Sequence, residues 1–227
     1  MANCPKCHGE GCVKDGIVNG RQRHRCKGCG YRHTVAERGA GSAVRRQALQ
    51  LYLEGMGFRA IGRFLEVSHV AVYYWVKSFG KAVESARNTG GEVKVVEMDE
   101  LHSYVGHKKN YRWVWTAIDR HGKRFLGCAV GSRDAETGRK LWAAIERPGI
   151  EAVMTDYWQP YEHFVPARLH TQAKAETYTA EGYNSLLRHS LARLKRKTKC
   201  YSKSQDMLEC SVKLFMAYWN NGKTILF

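Results

Sequence analysis

The sequence predicts a multi-domain α+β protein, and three observations lead to this fold class. Two closely spaced cysteine pairs lie within residues 4–29, apolar residues at helical spacing occupy 43–77, and strand-like alternation characterises 93–131. Because these patterns follow one another along the chain, we expect a zinc ribbon, a three-helix unit and a larger α/β domain. The predicted limits are 1–40 for the ribbon, 41–80 for the helical unit, 81–92 for a linker helix and hinge, and 93–227 for the α/β domain.

The first segment carries the pattern of a structural zinc site. Cys4 and Cys7 form one C-x2-C pair, and Cys26 and Cys29 form a second pair after a spacer of 18 residues. Each pair places two thiolates on one side of a tight knuckle, and two knuckles complete a tetrahedron around Zn²⁺. The spacer predicts a β-hairpin with Asn19-Gly20 at its turn. About 40 residues cannot bury enough core to fold alone, so zinc would supply the folding energy. A redox dithiol or a disulfide is the alternative.

Residues 43–77 follow the pattern of a helix-turn-helix unit. We expect helices at 43–54, 58–65 and 69–77, with a Gly-Met-Gly break after the first and a turn in which Ser68 caps the third. In such units the second helix packs across a recognition helix that lies in the major groove of DNA. The alternative is a plain three-helix bundle that does not contact DNA.

The composition favours a polyanionic partner. The chain has 37 Lys and Arg against 21 Asp and Glu, which gives a formal net charge of +16, and nucleic acid is the usual partner of such a charge. No apolar run approaches the roughly 18 residues that a membrane helix needs, and no secretory signal is visible. We therefore expect no membrane partner and a cytoplasmic, nucleoid-associated protein.

The C-terminal part combines strands with helices. We expect three antiparallel strands, a helix, a buried strand, a shorter strand and two further helices, at 93–106, 111–119, 123–131, 134–146, 150–155, near 168–170, 179–195 and 205–221. Including a short segment after the fourth strand, the order reads β-β-β-α-β-α-β-α, which is that of an RNase H-like fold. In that fold, acids of the first strand, of the end of the fourth strand and of a later helix converge.

Three acids occupy those places. Asp99 lies in the first strand, Asp156 directly follows the fourth, and Glu181 begins the basic helix with Asn184 on the same helix face. Mg²⁺ and Mn²⁺ prefer such oxygen ligands, and two ions could activate an attacking oxygen and stabilise a departing one. Glu176 is the alternative to Glu181 as the third acid.

The neighbours of Asp99 are less well determined. In an ideal strand Glu97 shares the face of Asp99, whereas Glu100 points the other way. Glu97 could support the metal site or belong to a solvated strand edge. The pattern assigns no role to Glu100.

Several motifs together resemble those of one family. They are Glu97-Met98-Asp99-Glu100 followed by Tyr104-Val105-Gly106, then Met154-Thr155-Asp156, Glu181-x-x-Asn184, and basic stretches at 191–197 and 202–204. In this order the chain resembles the DDE transposases of the IS1 insertion-sequence family, and its zinc ribbon and helix-turn-helix are similar to the DNA-binding half of that family. The resemblance spans nearly the full length.

The resemblance implies a function and a set of roles. It implies metal-dependent DNA cleavage and strand transfer at the inverted-repeat ends of a mobile element, without a covalent protein–DNA intermediate. Asp99, Asp156 and Glu181 then correspond to the catalytic acids, with Mg²⁺ or Mn²⁺ as cofactor. Further positions that match are His170, Lys174, Asn184, Arg188 and Lys203. Double-stranded DNA is the expected partner, and because two ends must be joined we expect a homodimer or a higher oligomer.

Candidate DNA contacts come from the ribbon, the recognition helix and the basic run at 186–203. A charge run is usually a solvated face, but directly after a metal-bearing glutamate it favours contact with the phosphate backbone. The candidates are Arg21, Arg23, Arg25, His69, Tyr73, Tyr74, Lys77, Arg188, Arg193, Arg196, Lys197 and Lys203.

Two other functions fit the same patterns. One is a DNA-binding transcriptional regulator or repressor whose C-terminal domain is inactive and mediates assembly. The other is an RNase H-like nuclease that cuts but does not join DNA. Loss of cleavage on replacing the three acids separates the enzyme from the regulator, and strand-transfer products separate the transposase from the nuclease.

Overall fold

The computed structural model describes residues 3–34, 40–85 and 91–225. Within these ranges the chain has six α-helices and two β-sheets, which confirms the α+β class. The chain divides into two compact units, Met1–Ala43 and Val44–Phe227.

The first unit contains a three-stranded antiparallel sheet. Its strands β1 (Cys12–Val18), β2 (Arg21–Cys26) and β3 (Arg32–Thr34) adjoin in that order. Asn19 and Gly20, between β1 and β2, have φ values of 50° and 72°, the two positive values of a type I′ turn. The predicted hairpin is therefore confirmed, and β3, which the sequence pattern does not predict, adds a short edge.

Three helices follow the first sheet. They are α1 (Ser42–Leu53), α2 (Phe58–Phe64) and α3 (His69–Ser85), and the limits of α1 and α2 are close to the predicted ones. Helix α3 continues without a break to Ser85, eight residues beyond its predicted end and into the segment predicted as a linker helix and hinge. Most of the expected hinge, residues 86–90, lies outside the described residues.

The second sheet has five strands in the order β6-β5-β4-β7-β8. Strand β4 is central: it pairs in antiparallel fashion with β5, which pairs with β6, and in parallel fashion with β7, which pairs with β8. The elements are β4 (Val95–Tyr104), β5 (Tyr111–Asp119), β6 (Arg124–Gly131), α4 (Ala135–Ile145), β7 (Ala152–Thr155), β8 (His170–Gln172), α5 (Tyr178–Ser190) and α6 (Gln205–Asn220). In the described part of the chain, no helix is long and apolar enough to cross a membrane.

Side chains of β4 alternate between the two faces of this sheet. Met98 belongs to a buried cluster with α4, whereas Leu101 belongs to a second cluster with α5, α6 and the helices α1–α3. The carboxylates of Glu97 and Asp99 lie on the Leu101 side, because both accept hydrogen bonds from residues of α5. The alternation thus places two acids of β4 under one helix.

Helices α1–α3 share a core with the sheet. Helix α3 packs against α6 at Gly80, where an added Cβ would lie 2.7 Å from the carbonyl oxygen of Cys210. The hydroxyl of Tyr52 on α1 donates to Oγ of Ser211 on α6 at 2.7 Å. The predicted limits 1–40, 41–80, 81–92 and 93–227 stay predictions, but the second unit holds the helix-turn-helix and the five-stranded sheet together.

The basic helix α5 is shorter than expected. It ends at Ser190, whereas the sequence predicts a helix to residue 195. The following residues Leu191 and Leu194 are buried in the core shared with α1–α3, so the chain turns inward at this point. The basic run is therefore a loop packed on the core rather than the end of a helix.

Candidate functional site

The four predicted cysteines of the first unit lie close together. The Sγ atoms of Cys4 and Cys29 are 3.6 Å apart, as are those of Cys7 and Cys26, and all four lie within 4.8 Å of one another. A tetrahedral zinc ion with bonds of about 2.3 Å separates its sulfur ligands by about 3.8 Å, whereas a disulfide needs about 2.05 Å. The set therefore suits zinc, and none of these cysteines is disulfide-bonded.

Backbone amides favour the thiolate form of one of these cysteines, Cys26. The N–H groups of Cys29 and Gly28 bond to the sulfur of Cys26 and, against the effect of burial, lower the pKa of this thiol to about 6. The thiolate is the form that binds a metal ion. His8 and Gly30, which follow the two knuckles, have φ values of 58° and 70°, so both knuckles close with a residue in the left-handed region.

Carboxylates from two neighbouring strands meet in the second unit. Strand β4 pairs with β7 up to Glu97 and Met154, so Asp156, two residues further on, comes level with Asp99. Ligand oxygens of Asp99, Glu100 and Asp156 all lie within 4.8 Å of one another. We call these three residues the acid cluster. The structure thus brings together two of the three predicted acids, and Glu100 joins them.

Asp99 is oriented by a hydrogen-bond relay between β5 and α5. Its Oδ2 accepts from Nδ2 of Asn184 at 2.8 Å, and Oδ1 of Asn184 accepts from the hydroxyl of Thr116 at 3.0 Å. Thr116 lies opposite Asp99 in the strand register and is fully buried. Burial raises the pKa of Asp99, and the nearby charges of Asp156 and Glu181 raise it further.

Glu100 is the most enclosed acid of the cluster. Its side chain is 1% exposed and lies beside the hydroxyl of Tyr161, on the α4 side of the sheet. The two groups approach without reaching hydrogen-bond geometry, and Oε1 of Glu100 has no partner among the described residues. Burial raises the pKa of Glu100 to about 7, although the charge of Arg133 lowers it. A buried oxygen without a partner is costly, and a bound cation would satisfy it.

Arg133 is the counter-ion of the cluster on this side. Its Nη2 lies 3.4 Å from Oε2 of Glu100 and 3.9 Å from Oδ2 of Asp156. Its guanidinium carbon lies 4.7 Å from the ring centroid of Trp113 and 4.5 Å from that of Trp158. The backbone N–H of Trp158 also donates to Oδ1 of Asp156 at 3.0 Å. One short segment therefore fixes both the acid and its counter-ion.

A buried ion-pair network joins β4 to the beginning of α5. The fully buried Glu97 accepts from Nε of Arg120 at 2.6 Å and from the backbone N–H of Ala180 at 2.9 Å. Arg120 also donates from Nη1 to Oε2 of Glu176 at 2.7 Å and from Nη2 to the carbonyl of Glu176. Glu97 is thus no solvated edge residue: it satisfies an N–H group in the first turn of the helix that carries Glu181.

Glu181 lies on the wall of an open cleft. This cleft has a volume of about 670 Å³, and Asp99, Glu100 and Asn184 also line it. Glu181 is exposed and lies outside the group of acids within 4.8 Å of one another, although its charge acts on Asp99. Glu176, the alternative third acid, is instead paired with Arg120. Four basic side chains also line the cleft: Arg188, His189, Lys195 and Arg196.

The candidate DNA contacts differ in exposure. Exposed residues are Arg21, Arg25, His69, Tyr74, Arg196, Lys197 and Lys203, and half-buried residues are Arg23, Tyr73, Lys77 and Arg188. Contrary to the prediction of a DNA contact, Arg193 lies in the interior with 7% of its surface exposed. It donates to the hydroxyls of Tyr52 and Ser202, both at 2.6 Å, and its guanidinium packs against Phe58. Arg193 therefore ties the basic loop to the helix-turn-helix.

His170, one of the positions that match the family and a possible supporting residue of the site, lies one strand away from the acid cluster. Its Nε2 is 2.8 Å from the hydroxyl of Thr155, the residue that precedes Asp156. Burial lowers the pKa of His170, which favours the neutral imidazole. Its contact is with the strand end that carries the acid.

Sequence reasoning missed four residues of this site. Thr116, Arg120 and Arg133 reach their partners only through strand pairing and loop packing, so no local spacing indicates them. Glu100 could have been found from the sequence, because it lies next to Asp99 where the neighbouring parallel strand β7 ends. A side chain on either face of β4 can reach that edge of the sheet.

The donors of the acid cluster suit a hard divalent cation. All are carboxylate oxygens from fixed strand positions, and Oε1 of Glu100 is buried without a partner among the described residues. Mg²⁺ and Mn²⁺ prefer such ligands, whereas zinc prefers the thiolates of the first unit. The chain therefore offers two chemically distinct metal sites.

Comparisons with known proteins identify the family. Residues 93–220 match the family described as IS1 transposase, and residues 43–82 match that described as putative ATPase subunit of terminase (gpP-like). The Insertion element IS1 4 protein InsB of Escherichia coli (strain K12) is 37% identical over 128 residues, which are 56% of this chain and 77% of that relative. The Insertion element IS1 9 protein InsB of the same strain is 35% identical over 128 residues, with the same shares. The family match contains the five-stranded sheet, the acid cluster and α5, and the chain belongs to the IS1 transposase family.

Proposed function

We propose that this chain is a DDE-type DNA transposase that binds the inverted-repeat ends of a mobile element and catalyses metal-dependent strand cleavage and strand transfer. The observation that carries the proposal is the acid cluster: two of its members, Asp99 and Glu100, line a cleft whose wall also holds Glu181 and several basic side chains. Acids and bases side by side match a phosphodiester with its metal ions. A stability role explains the cluster poorly, because its like charges repel one another.

The sheet order supports an RNase H-like catalytic domain. On one side of the central β4, the antiparallel strands β5 and β6 extend to one edge of the sheet. On its other side, β7 and β8 run parallel to β4 and extend to the other edge. The order of strands along the chain is the one that the sequence predicts for this fold. In it, acids of the first and fourth strands meet as Asp99 and Asp156 do.

The proposed catalytic residues are Asp99, Asp156 and Glu181. Together they would hold two Mg²⁺ or Mn²⁺ ions, which activate the attacking oxygen and stabilise the departing 3′ oxygen. Asn184 keeps Oδ2 of Asp99 in one orientation, and Glu97 holds the start of α5 so that Glu181 faces the cleft. The attacking groups are a water molecule during cleavage and the freed 3′ hydroxyl during joining.

Three separate parts of the chain are proposed to bind DNA. The ribbon with its structural zinc and the exposed residues His69 and Tyr74 of α3 would bind the element ends, and Arg188 and Arg196 would bind the phosphate backbone beside the acids. Because two ends must be joined, the active form would be at least a homodimer on double-stranded DNA.

A cleavage assay tests this function. The substrate is a duplex that carries the terminal repeat flanking the gene, incubated with and without Mg²⁺. We expect Asp99→Asn, Asp156→Asn and Glu181→Gln each to abolish cleavage while leaving binding of the duplex intact. Glu136→Gln is the matched control, since Glu136 is an exposed first-turn glutamate of α4, as Glu181 is of α5.

The outcome also separates the alternatives. Mg²⁺-dependent cleavage that survives in all three variants would show that the site lies elsewhere. A parent protein that binds the duplex but never cuts it would instead be a regulator. Addition of a target duplex distinguishes a transposase from a nuclease: a transposase yields joined strand-transfer products, whereas a nuclease yields only cut ends.

A further inference from the structure

Arg133 is the one strongly basic group found against the α4 side of the acid cluster within the described ranges. The basic wall of Arg188, Lys195 and Arg196 lines the cleft on the α5 side. Arg133 follows β6 and reaches Glu100 and Asp156 from the other side of β4. A nucleic-acid strand that crosses the acids would therefore have cationic groups on both sides.

The guanidinium of Arg133 is held in place by packing rather than by its ion pairs. Both ion pairs are long, at 3.4 and 3.9 Å, and only the first meets hydrogen-bond geometry. The contacts with Trp113 and Trp158, at 4.7 and 4.5 Å, are close enough for strong cation–π attraction. Arg133 would thus keep its position when a metal ion takes over the two carboxylates.

The guanidinium also keeps hydrogen-bonding capacity. It has five N–H donors in a planar fork, which matches the oxygens of a phosphate group. One hydrogen bond of this side chain, to Glu100, is found among the described residues, and the side chain is 35% exposed. A group fixed by two indoles, with unused donors at a solvent-accessible edge, is arranged for a ligand rather than for stability alone.

We propose that Arg133 is a substrate-binding residue that contacts the phosphodiester at the acid cluster, on the side opposite the basic wall of α5. The inference rests on the proposed function, since it presupposes that DNA is the substrate. Without DNA, Glu100 and Asp156 balance the charge of Arg133. With metal ions on the carboxylates, the guanidinium donates to a non-bridging phosphate oxygen and stabilises its negative charge.

The proposal predicts opposite effects on metal and on DNA. The positive charge of Arg133 repels a metal ion bound at Glu100 and Asp156. Arg133→Gln should therefore leave the Mn²⁺ affinity of the free protein unchanged or raise it. The same variant should cleave DNA about 100-fold more slowly, the usual cost of removing one donor to developing charge. Arg133→Lys keeps the charge without the planar fork, and its rate should lie between the two.

Three measurements on the full chain form the test. Mn²⁺ binding is followed by titration calorimetry without DNA, and cleavage is followed with Mg²⁺ on the terminal-repeat duplex. Binding of the same duplex is measured with Ca²⁺ in place of Mg²⁺ at several salt concentrations. Loss of one phosphate contact should reduce the slope of log K against log salt by about 0.9 in Arg133→Gln. Thermal melting of each variant checks that it is folded.

Arg168→Gln is the matched control. Arg168 is exposed and lies before β8, at the end of the parallel strands opposite to Asp156, so its loss should change neither the salt slope nor the rate. Arg133→Gln that cleaves within threefold of the parent would overturn the proposal. A clear loss of Mn²⁺ affinity would also overturn it, since Arg133 would then only hold the acids for the metal. A parent protein that never cleaves would overturn the proposed function as well, whereas the first two results leave that function standing.

Discussion

Glu100 makes the stability of the second unit depend on pH. Burial raises its pKa from the usual 4.5 to about 7 in the folded chain. The folded state therefore holds this proton more tightly than the unfolded state, and the resulting stabilisation is complete below pH 4.5 and is lost as pH rises through about 7. The buried carboxylate is thus best tolerated either protonated or bound to a cation.

We predict that Glu100→Gln reduces this pH dependence. Without divalent ions, the urea midpoint of the parent should fall between pH 5 and pH 8 more steeply than that of the variant, because glutamine does not ionise. Mn²⁺ should restore the parent at pH 8, since the ion takes the place of the proton. The exposed Glu151→Gln serves as control. Identical pH profiles for parent and Glu100→Gln would contradict the assignment of this pKa.

At this scale, the sequence predicts the residues that stand at regular positions. Asp99 and Asp156 could be placed because a strand pattern leads into each of them. Thr116, Arg120 and Arg133 could not, since a threonine or an arginine in a strand or loop is common and its partner is chosen by the fold. The burial of Arg193 could not be predicted from the sequence either. Its basic neighbours are exposed, but Arg193 lies between Leu191 and Leu194, which are both buried in the core.

The zinc knuckles are the element on which the first unit depends. Its strands are short. Among the described residues of this unit, the buried side chains are Cys4 and Cys26, which both belong to the metal site. Structural zinc contributes about 10–16 kcal/mol in small sites, far more than such a sheet can provide. We therefore expect the folding of this unit to be coupled to the metal.

We predict that a strong chelator, or Cys7→Ser with Cys29→Ser, unfolds residues 3–34 and leaves the second unit folded. NMR spectra should lose the dispersed signals of the ribbon and keep those of the five-stranded sheet. Cys200→Ser is the control, because Cys200 is exposed and belongs to the second unit. A ribbon that stays folded and binds DNA without zinc would refute the structural role.

The network around Glu97 is the device that fixes α5. Glu97→Gln removes the buried negative charge that pairs with the guanidinium of Arg120, and we expect a loss of about 3 kcal/mol in the free energy of unfolding. Release of the Ala180 N–H should also let α5 shift, which moves Asn184 away from Asp99. We expect Mn²⁺ affinity to fall about tenfold, which corresponds to about 1.4 kcal/mol of binding free energy.

Chemical denaturation and calorimetry measure the two effects. Glu176→Gln is the comparison, because the Glu176 side chain is 44% exposed and its pair with Arg120 should contribute less than about 1 kcal/mol. Equal losses in the two variants, or full Mn²⁺ affinity in Glu97→Gln, would show that Glu97 does not position α5.

Helix and strand limits illustrate what patterns predict at the element scale. Most elements begin and end within two or three residues of the predicted positions, because apolar periodicity and glycine breaks are local signals. The ends of α3 and α5 are exceptions: α3 continues to Ser85 instead of 77, and α5 stops at Ser190 instead of 195. For α5 the reason is visible in the packing. Its basic run favours a longer helix, but burial of Leu191 and Leu194 in the shared core outweighs local preference.

In the second unit, the helix-turn-helix and one face of the five-stranded sheet share a buried cluster. Helix α3 approaches α6 so closely at Gly80 that a methyl group has no room. We predict that Gly80→Ala destabilises the unit by about 1–3 kcal/mol through overpacking. The helix-turn-helix and the sheet should still unfold in a single transition.

Two probes test this cooperativity. Far-UV circular dichroism follows the helices, and tryptophan fluorescence is dominated by residues of the sheet domain such as the buried Trp115. Gly182→Ala is the control: Gly182 lies in α5 with nothing within 4 Å of an added Cβ, and alanine should be neutral or stabilising there. Two separate transitions in the parent would show that the helices fold independently.

The order of elements could be predicted for the whole molecule, but their association could not. Together, the three helices of residues 42–85 have the pattern of a self-contained DNA-binding unit. No local feature of the sequence shows that Tyr52 and Gly80 pack on α6. Those contacts join residues more than 120 positions apart, which no periodicity reveals.

The close crossing at Gly80 has a consequence for protein engineering. Exchange of the helix-turn-helix for that of another protein would replace one half of a buried interface, and the recipient would lose the partners of Arg193 and Cys210. Retargeting is better attempted by changing only the outward residues of α3, such as His69 and Tyr74, on the existing scaffold. Under the proposed function, the positions that contact DNA lie on the surface of a scaffold that is not a detachable module.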